Sequence, residues 1–144
     1  MRIERATEKH KEKILWLLLA MYEETGKCAI NVEKVNTRIA TLIATGWVII
    51  AVDDEDEIVG SIGLGIYSEW YSKEELLADY WTFVHPKARN TRAFVLMIRA
   101  VTELADKLKM PFVTAVKAEK DTDRKNKLFG RYLNPAGQIF EYGG

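Results

Sequence analysis

The sequence predicts one α/β domain built on a mixed sheet and spanning residues 1–144. Three observations predict it. The first 46 residues carry two stretches with apolar side chains at helical spacing. A continuous β-branched run, WVIIAV at 47–52, then faces a second apolar run, IVGSIGLGI at 58–66, across the charged turn DDEDE. Further on, a strand, a turn, an amphipathic helix and another strand follow in succession. Apolar residues make up 48% of the 144, enough for one buried core and too few for two.

Each element has its own signal. Residues 2–6 read as a short first strand. Thr7 with Glu8 starts a helix in which Ile14, Leu17, Leu18 and Met21 recur until Gly26 ends the run. Leu15, Trp16, Leu19 and Tyr22 widen that stripe, so this helix is expected to be buried on two sides. Asn31 can cap a second helix with the face Val32, Val35, Ile39, Leu42 and Ile43, stopped by Gly46. Residues 47–52 and 58–66 form an expected antiparallel hairpin in the middle of the sheet. A polar, aromatic loop covers 67–75, and 76–84 returns as a strand. The clearest amphipathic helix is 92–109, ended by Met110-Pro111, and 112–116 is the next strand. A short helix over 123–132, a turn at Pro135-Ala136-Gly137 and a last strand at 138–142 complete the order β-α-α-β-β-β-α-β-α-β. The chain shows no repeat, linker or low-complexity segment.

Composition removes several function classes. Charge balances at 21 basic and 21 acidic residues, so bulk electrostatics nominate no nucleic acid as partner. Lys117, Lys120, Arg124, Lys125, Lys127 and Arg131 are interleaved with Glu119, Asp121 and Asp123, which places a nucleic-acid-binding role last. The local distribution is less even. Residues 53–79 hold nine acidic side chains and one base, Lys73, whereas 85–109 carry six bases against Glu103 and Asp106. That arrangement suits a protein that holds an anion and receives a cation, although solvated faces produce the same pattern. Cys28 is the single cysteine, and the two histidines, His10 and His85, are far apart, so no disulfide and no metal set is expected. The N-terminus has no apolar leader and no segment approaches a membrane span, so a cytoplasmic, soluble protein is expected.

The stretch VHPKARNTRAF, residues 84–94, carries the chemistry. It joins a strand to a helix start, where unpaired backbone N–H groups and the aligned peptide dipoles favour an anion. Arg89 and Arg92 can add charge-assisted hydrogen bonds, and Asn90 and Thr91 are good capping types. An ordinary capped helix start is the competing reading.

The reading V84-H-P-K-A-R89 resembles the central motif of the GNAT N-acyltransferase superfamily, V-x-P-x-x-R followed by a glycine-containing turn and an amphipathic helix. The resemblance covers nearly the whole chain and includes the closing segment LFGRYLNPAG. WTFVHPKARNTRAF together with RKNKLFGRYLNPAGQIF is similar to phage- and prophage-encoded GNAT-like proteins, which replace the turn glycines. Aligned on Arg89, those glycine positions fall on Arg92 and Phe94. The turn runs straight into a right-handed helix and requires no positive φ, whereas Phe94 must point into the core to leave room for a ligand. The fold so implied is a mostly antiparallel central sheet flanked by helices.

The resemblance implies acetyl-CoA as cofactor, a small-molecule or peptide primary amine as acceptor, no nucleic acid and no membrane, and edge strands able to pair two copies into a homodimer. It places the pyrophosphate on Arg89, Asn90, Thr91, Arg92, Ala93 and Phe94. The pantetheine arm lies beside Phe83 and Val84, in the wedge against FVTAV, with a backbone amide near Val84 as oxyanion donor. The usual acid, a tyrosine in the terminal helix, is Phe129 here; Tyr132 is a substitute, or else an amphipathic residue at the core edge. For the base, Asp79 lies on the motif strand and Glu75 just before it. Alternation puts Asp79, Trp81 and Phe83 on one face, where Trp81 would raise the Asp79 pKa; the alternative is a strand-end carboxylate in water. A GNAT-shaped binding protein without turnover, still holding coenzyme A, is the second reading.

Overall fold

A computed structural model of the chain describes residues 1–26, 28–115 and 122–142. Its strands are β1 (Arg2–Arg5), β2 (Trp47–Val52), β3 (Ile58–Ser68), β4 (Glu75–Val84) and β5 (Phe112–Val113). Its helices are α1 (Lys11–Thr25), α2 (Val32–Thr45), α3 (Ala93–Leu108) and α4 (Thr122–Gly130), with 3-10 turns at Glu8–His10 and Pro86–Ala88. The strands lie side by side in the order β1-β2-β3-β4-β5, antiparallel except for the parallel pair β4–β5. The expected hairpin is indeed central.

The sheet is buried on both faces, which is why 47–52 is apolar without alternation. Val48, Ile50 and Val52 join Ile14, Leu18, Ile39 and Leu42 under α1 and α2. Ile49 and Ala51 point the other way, to Met97, Ile98 and Val101 of α3. The Asn31 side chain accepts from Lys34 N–H at 2.9 Å and starts α2 as expected. Gly46 ends it where a Cβ would stand 2.6 Å from the Leu64 carbonyl oxygen, so the close approach of β3 requires glycine. Lys109 closes α3 in the left-handed region, φ 56, with its N–H on the Ala105 and Asp106 carbonyls.

Four expectations change. Helix α1 buries Ile14, Leu17 and Leu18 on one side, but Trp16 is 62% exposed, so its second apolar side is not covered by the described chain. Strand β5 ends its ladder at Val113; Val116 lies outside the described residues, as do Lys117, Glu119, Lys120 and Asp121. Helix α4 ends at Gly130, and Tyr132 sits in the turn beyond it. Residues 138–142 form no strand, and Phe140 and Tyr142 are exposed. Among the described residues no helix is long and apolar enough to cross a membrane.

Candidate active site

A β-bulge decides which way the β4 side chains point. The register runs Gly63↔Trp81 and then Leu64↔Asp79, so Tyr80 is an extra residue in β4. Alternation restarts there. The expectation that Asp79, Trp81 and Phe83 share one face is therefore corrected. Trp81 packs into the cluster under α1 and α2, with its Nε1–H on Ser61 Oγ at 3.0 Å, over Gly63, where a Cβ would stand 2.5 Å from the ring. Asp79 stands opposite Leu64, a residue of the α3-side cluster. Its Oδ2 accepts the Thr82 hydroxyl at 2.5 Å and the Thr114 hydroxyl at 2.9 Å. Trp81 is thus not the neighbour of that carboxylate, and the argument from it for a raised pKa falls. Tyr80 turns to α2, where the Arg38 guanidinium lies 4.5 Å from the ring centroid.

Beyond the bulge no described residue of β5 pairs with β4. The ladder to β5 consists of Leu77↔Phe112 and Ala78↔Val113, with Leu77 N–H donating to the Pro111 carbonyl at 2.8 Å. The Asp79–Thr114 bond is the next link, made by side chains in place of backbone. Past it the described residues of β5 form no further rung. His85 N–H donates to the Val59 carbonyl at 2.8 Å, so His85 faces β3. Its alternating neighbours Val84 and Thr82 then direct their N–H and C=O to the edge that β5 leaves. Phe83 is buried, with the Arg89 guanidinium 5.6 Å from its ring centroid.

The turn after β4 is organised by side chains. His85 Nδ1 accepts from Lys87 N–H at 3.2 Å. The Thr91 hydroxyl donates to the Ala88 carbonyl at 2.6 Å and accepts from Ala93 N–H at 3.2 Å, tying the turn to the first residue of α3; the N-cap itself is Arg92 and has no side-chain cap bond. Arg92 has φ −82, and among the described non-glycine residues only Asp56 and Lys109 have positive φ. The turn does not need the family's glycines for their conformational freedom. Phe94 turns inward as expected, packed on the α3-side core and edge-on to Phe129 at 5.0 Å between centroids. Asn90 and Arg92 are exposed. The remaining first-turn N–H groups of α3 have no intrahelical partner by the geometry of any helix.

Arg89 is engaged within the chain. Its Nη2 donates to Glu24 Oε2 at 2.7 Å and its Nε to the Val84 carbonyl at 3.2 Å. Lys125 Nζ lies 3.9 Å from the other oxygen of Glu24. The Arg89 hydrogen bond, partly opposed by burial, holds the Glu24 carboxyl below its ordinary value.

The expected site residues therefore separate into groups. Val84, Arg89, Asn90, Thr91, Arg92, Ala93 and Phe94 lie together at the C-terminal end of β4. Asp79 lies at the point where β4 and β5 part. Glu75 pairs with Ser68 at the far end of β4, about 13 Å from Asp79 at the rise of a strand. It borders a groove of about 620 Å³ lined by Glu69, Tyr71, Glu74, Leu108 and Lys109. Tyr132 lies with its ring 6.1 Å from Phe94, outside α4. Sequence reasoning missed Glu24, Thr82 and Thr114. A period-2 reading cannot find a bulge, and Glu24 meets Arg89 across 65 positions with no local pattern to mark it. Among the described residues no cluster of His, Cys, Asp and Glu could hold a metal ion.

No protein-family model matches the chain, and no curated protein matches it in sequence. Solved structures do match its fold. A possible acetyltransferase from Clostridium difficile 630 superimposes with TM-score 0.75 at 13% identity, over 99% of this chain and 97% of that one. The apo aminoglycoside 6'-N-acetyltransferase AAC(6')-IG from Acinetobacter haemolyticus gives 0.74 at 13% identity, over 100% and 98%. AAC(6')-Iy in complex with the bisubstrate analog CoA-S-monomethyl-acetylneamine gives 0.75 at 13% identity, over 99% and 97%. The chain has the fold of the GNAT-like acetyltransferases.

Proposed function

We propose that this protein is an N-acetyltransferase that moves the acetyl group of acetyl-CoA to a primary amine. The observation that carries the reading is the edge of β4 beyond Ala78: among the described residues no backbone rung to β5 follows there, and the strand runs on to the start of α3. A pantetheine arm is an extended amide chain, and an unpaired strand edge offers it hydrogen bonds in register. At the mouth the first-turn amides of α3 and the Arg92 side chain suit the pyrophosphate. Fold likeness to AAC(6')-Iy, solved with a CoA analog, supports the cofactor. The exchanged turn glycines support placing the chain near the phage-type members, and with them go a cytoplasmic location and homodimers.

The amine nitrogen attacks the acetyl carbonyl, the developing oxyanion takes a hydrogen bond from the outward N–H of Val84 or Thr82, and the C–S bond breaks to release the thiolate. Asp79 stands at the apex of the wedge with Thr82 and Thr114 fixing its Oδ2, and takes the amine proton directly or through water. The thiolate takes its proton from Tyr132 or from water. Glu75 is too far from Asp79 to act on the same proton and is assigned to the approach of a cationic acceptor. Aminoglycosides, for which the neighbouring AAC(6')-IG is named, are the first amines to try.

Calorimetric titration with acetyl-CoA tests the reading. Micromolar binding, weakened about tenfold or more in Arg92→Glu, is expected. Absence of binding at millimolar cofactor overturns it. A second reading, a CoA-binding protein without turnover, is favoured by Phe129, whose ring is spent on Phe94 and has no proton to give. Tight binding with no thiol release across aminoglycosides, polyamines and peptide amines would select it.

A further inference from the structure

We infer that Arg89 and Glu24 are positioning residues that hold the mouth of the wedge open in register, and that Arg89 is not a phosphate ligand. The inference rests on the acetyl-CoA reading of the β4 edge. It assigns Glu24 a role and corrects the one expected for Arg89.

The guanidinium bridges two elements, α1 and β4. It donates to Glu24 on the last turn of α1 at 2.7 Å and to the carbonyl of Val84, the last residue of β4, at 3.2 Å. Its face lies 5.6 Å from the Phe83 ring centroid. The two charged side chains are only 33% and 25% exposed, so water screens this pair less than a surface pair. Glu24 is also at the wrong end of its helix. The C-terminus of α1 carries partial negative charge, and its last turn has no basic residue. A carboxylate there disfavours the helix unless a cation meets it, and Arg89 with Lys125 does so from outside. The lowered Glu24 pKa agrees with that pairing.

A guanidinium already carrying a carboxylate is a poor site for a pyrophosphate, which would approach Glu24 at close range. What the contact does well is fix a peptide. Val84 aims both its C=O and its N–H at the edge of β4 beyond Ala78. Holding the carbonyl sets the plane of the strand end and leaves the edge N–H groups aimed into the wedge. Phosphate attraction then falls to Arg92 and the helix amides.

The test compares acetyl-CoA with acetyl-pantetheine, which lacks the pyrophosphate and nucleotide. Arg89→Ala is expected to weaken binding of both by the same factor, about tenfold, while Arg92→Ala weakens acetyl-CoA alone. The reversed pair, Glu24→Arg with Arg89→Glu, is expected to recover to within about threefold of the parent while each single change loses about tenfold. Loss confined to acetyl-CoA in Arg89→Ala would make Arg89 a phosphate ligand and overturn the inference. So would a reversed pair no better than its worse single. If Arg89→Ala does not fold, Arg89→Lys decides: a point charge serves a phosphate but cannot reach both acceptors, so weakening of both compounds is expected and retention of both overturns the inference. If the parent binds neither compound, the acetyl-CoA reading has failed. The link itself is then read by a thermal-unfolding cycle of the same single and double variants, where additive changes in Tm would overturn it.

Discussion

At its C-terminal end β4 runs into a turn wired by side chains: Arg89 holds the Val84 carbonyl, His85 receives Lys87 N–H, and Thr91 ties Ala88 to Ala93. At its N-terminal end the same strand is held by the ladder to β3 and two rungs to β5, and leads from a loop whose Trp70 and Tyr71 stand in solvent. The loop's internal bonds are local, Tyr67 to Glu69 and Glu74 to Ser72. The difference shows where geometry matters to the molecule. The end proposed to receive the cofactor is over-determined, while the end facing the groove beside Glu75 is held by fewer contacts. Substitutions should therefore grow milder from the bulge outward to the tip.

The largest effect is expected at the bulge. Trp81→Ala empties a site on the α1/α2 side and unpairs the buried Ser61 hydroxyl, and should destabilise by about 3–5 kcal/mol in urea unfolding. Gly63→Ala drives a Cβ into the Trp81 ring, which the packed cluster cannot yield, and should lose about 1–3 kcal/mol. A loss under about 0.5 kcal/mol in either would mean that the bulge is not what fixes β4. Next comes the mouth. Thr91→Ala removes the hydroxyl that ties Ala88 to Ala93 before α3 and should lose about 1 kcal/mol.

The Glu24–Arg89 link makes the mouth sensitive to acid, and the sign is fixed. The folded-state carboxyl of Glu24 lies below its ordinary 4.5. The stability it contributes is therefore complete above that value and is lost as pH falls through the lower folded value. Glu24→Gln should be less stable than the parent at about pH 6, and the gap should narrow as pH falls below 4.5. A gap that stays constant across that range would mean the pair contributes no proton linkage.

Most of this fold was legible because its helix signals are local: Asn31 and Gly46 at the ends of α2 and the apolar face of α3 can be read from neighbouring residues. The central hairpin was equally plain, since a run buried on both faces has no alternation to misread. The motif 84–94 marked the turn from β4 to α3, and the inward turn of Phe94 followed from the crowding its ring would cause. What escaped was non-local or aperiodic. One inserted residue, Tyr80, reversed the side on which Asp79 stands, and no propensity distinguishes a bulge from a regular strand. The segment 138–142 has strand chemistry but forms no strand. Glu24 looked like one more helix-surface acid until the fold brought Arg89 to it.

The smallest effect belongs to the tip, and it is the sharpest check on the contrast between the two ends. Trp70 is 93% exposed and its ring touches Tyr71 edge-on at 5.5 Å between centroids. Folding removes almost none of its apolar surface from water, so hydrophobic burial contributes almost nothing there. The aromatic pair is itself open to solvent, where such contacts are weak. Trp70→Ala should therefore change unfolding free energy by no more than about 0.5 kcal/mol, against several for Trp81→Ala eleven positions along the chain. A loss above about 1 kcal/mol would show that the tip is packed in solution, and the two ends of β4 would then have to be treated as equally built.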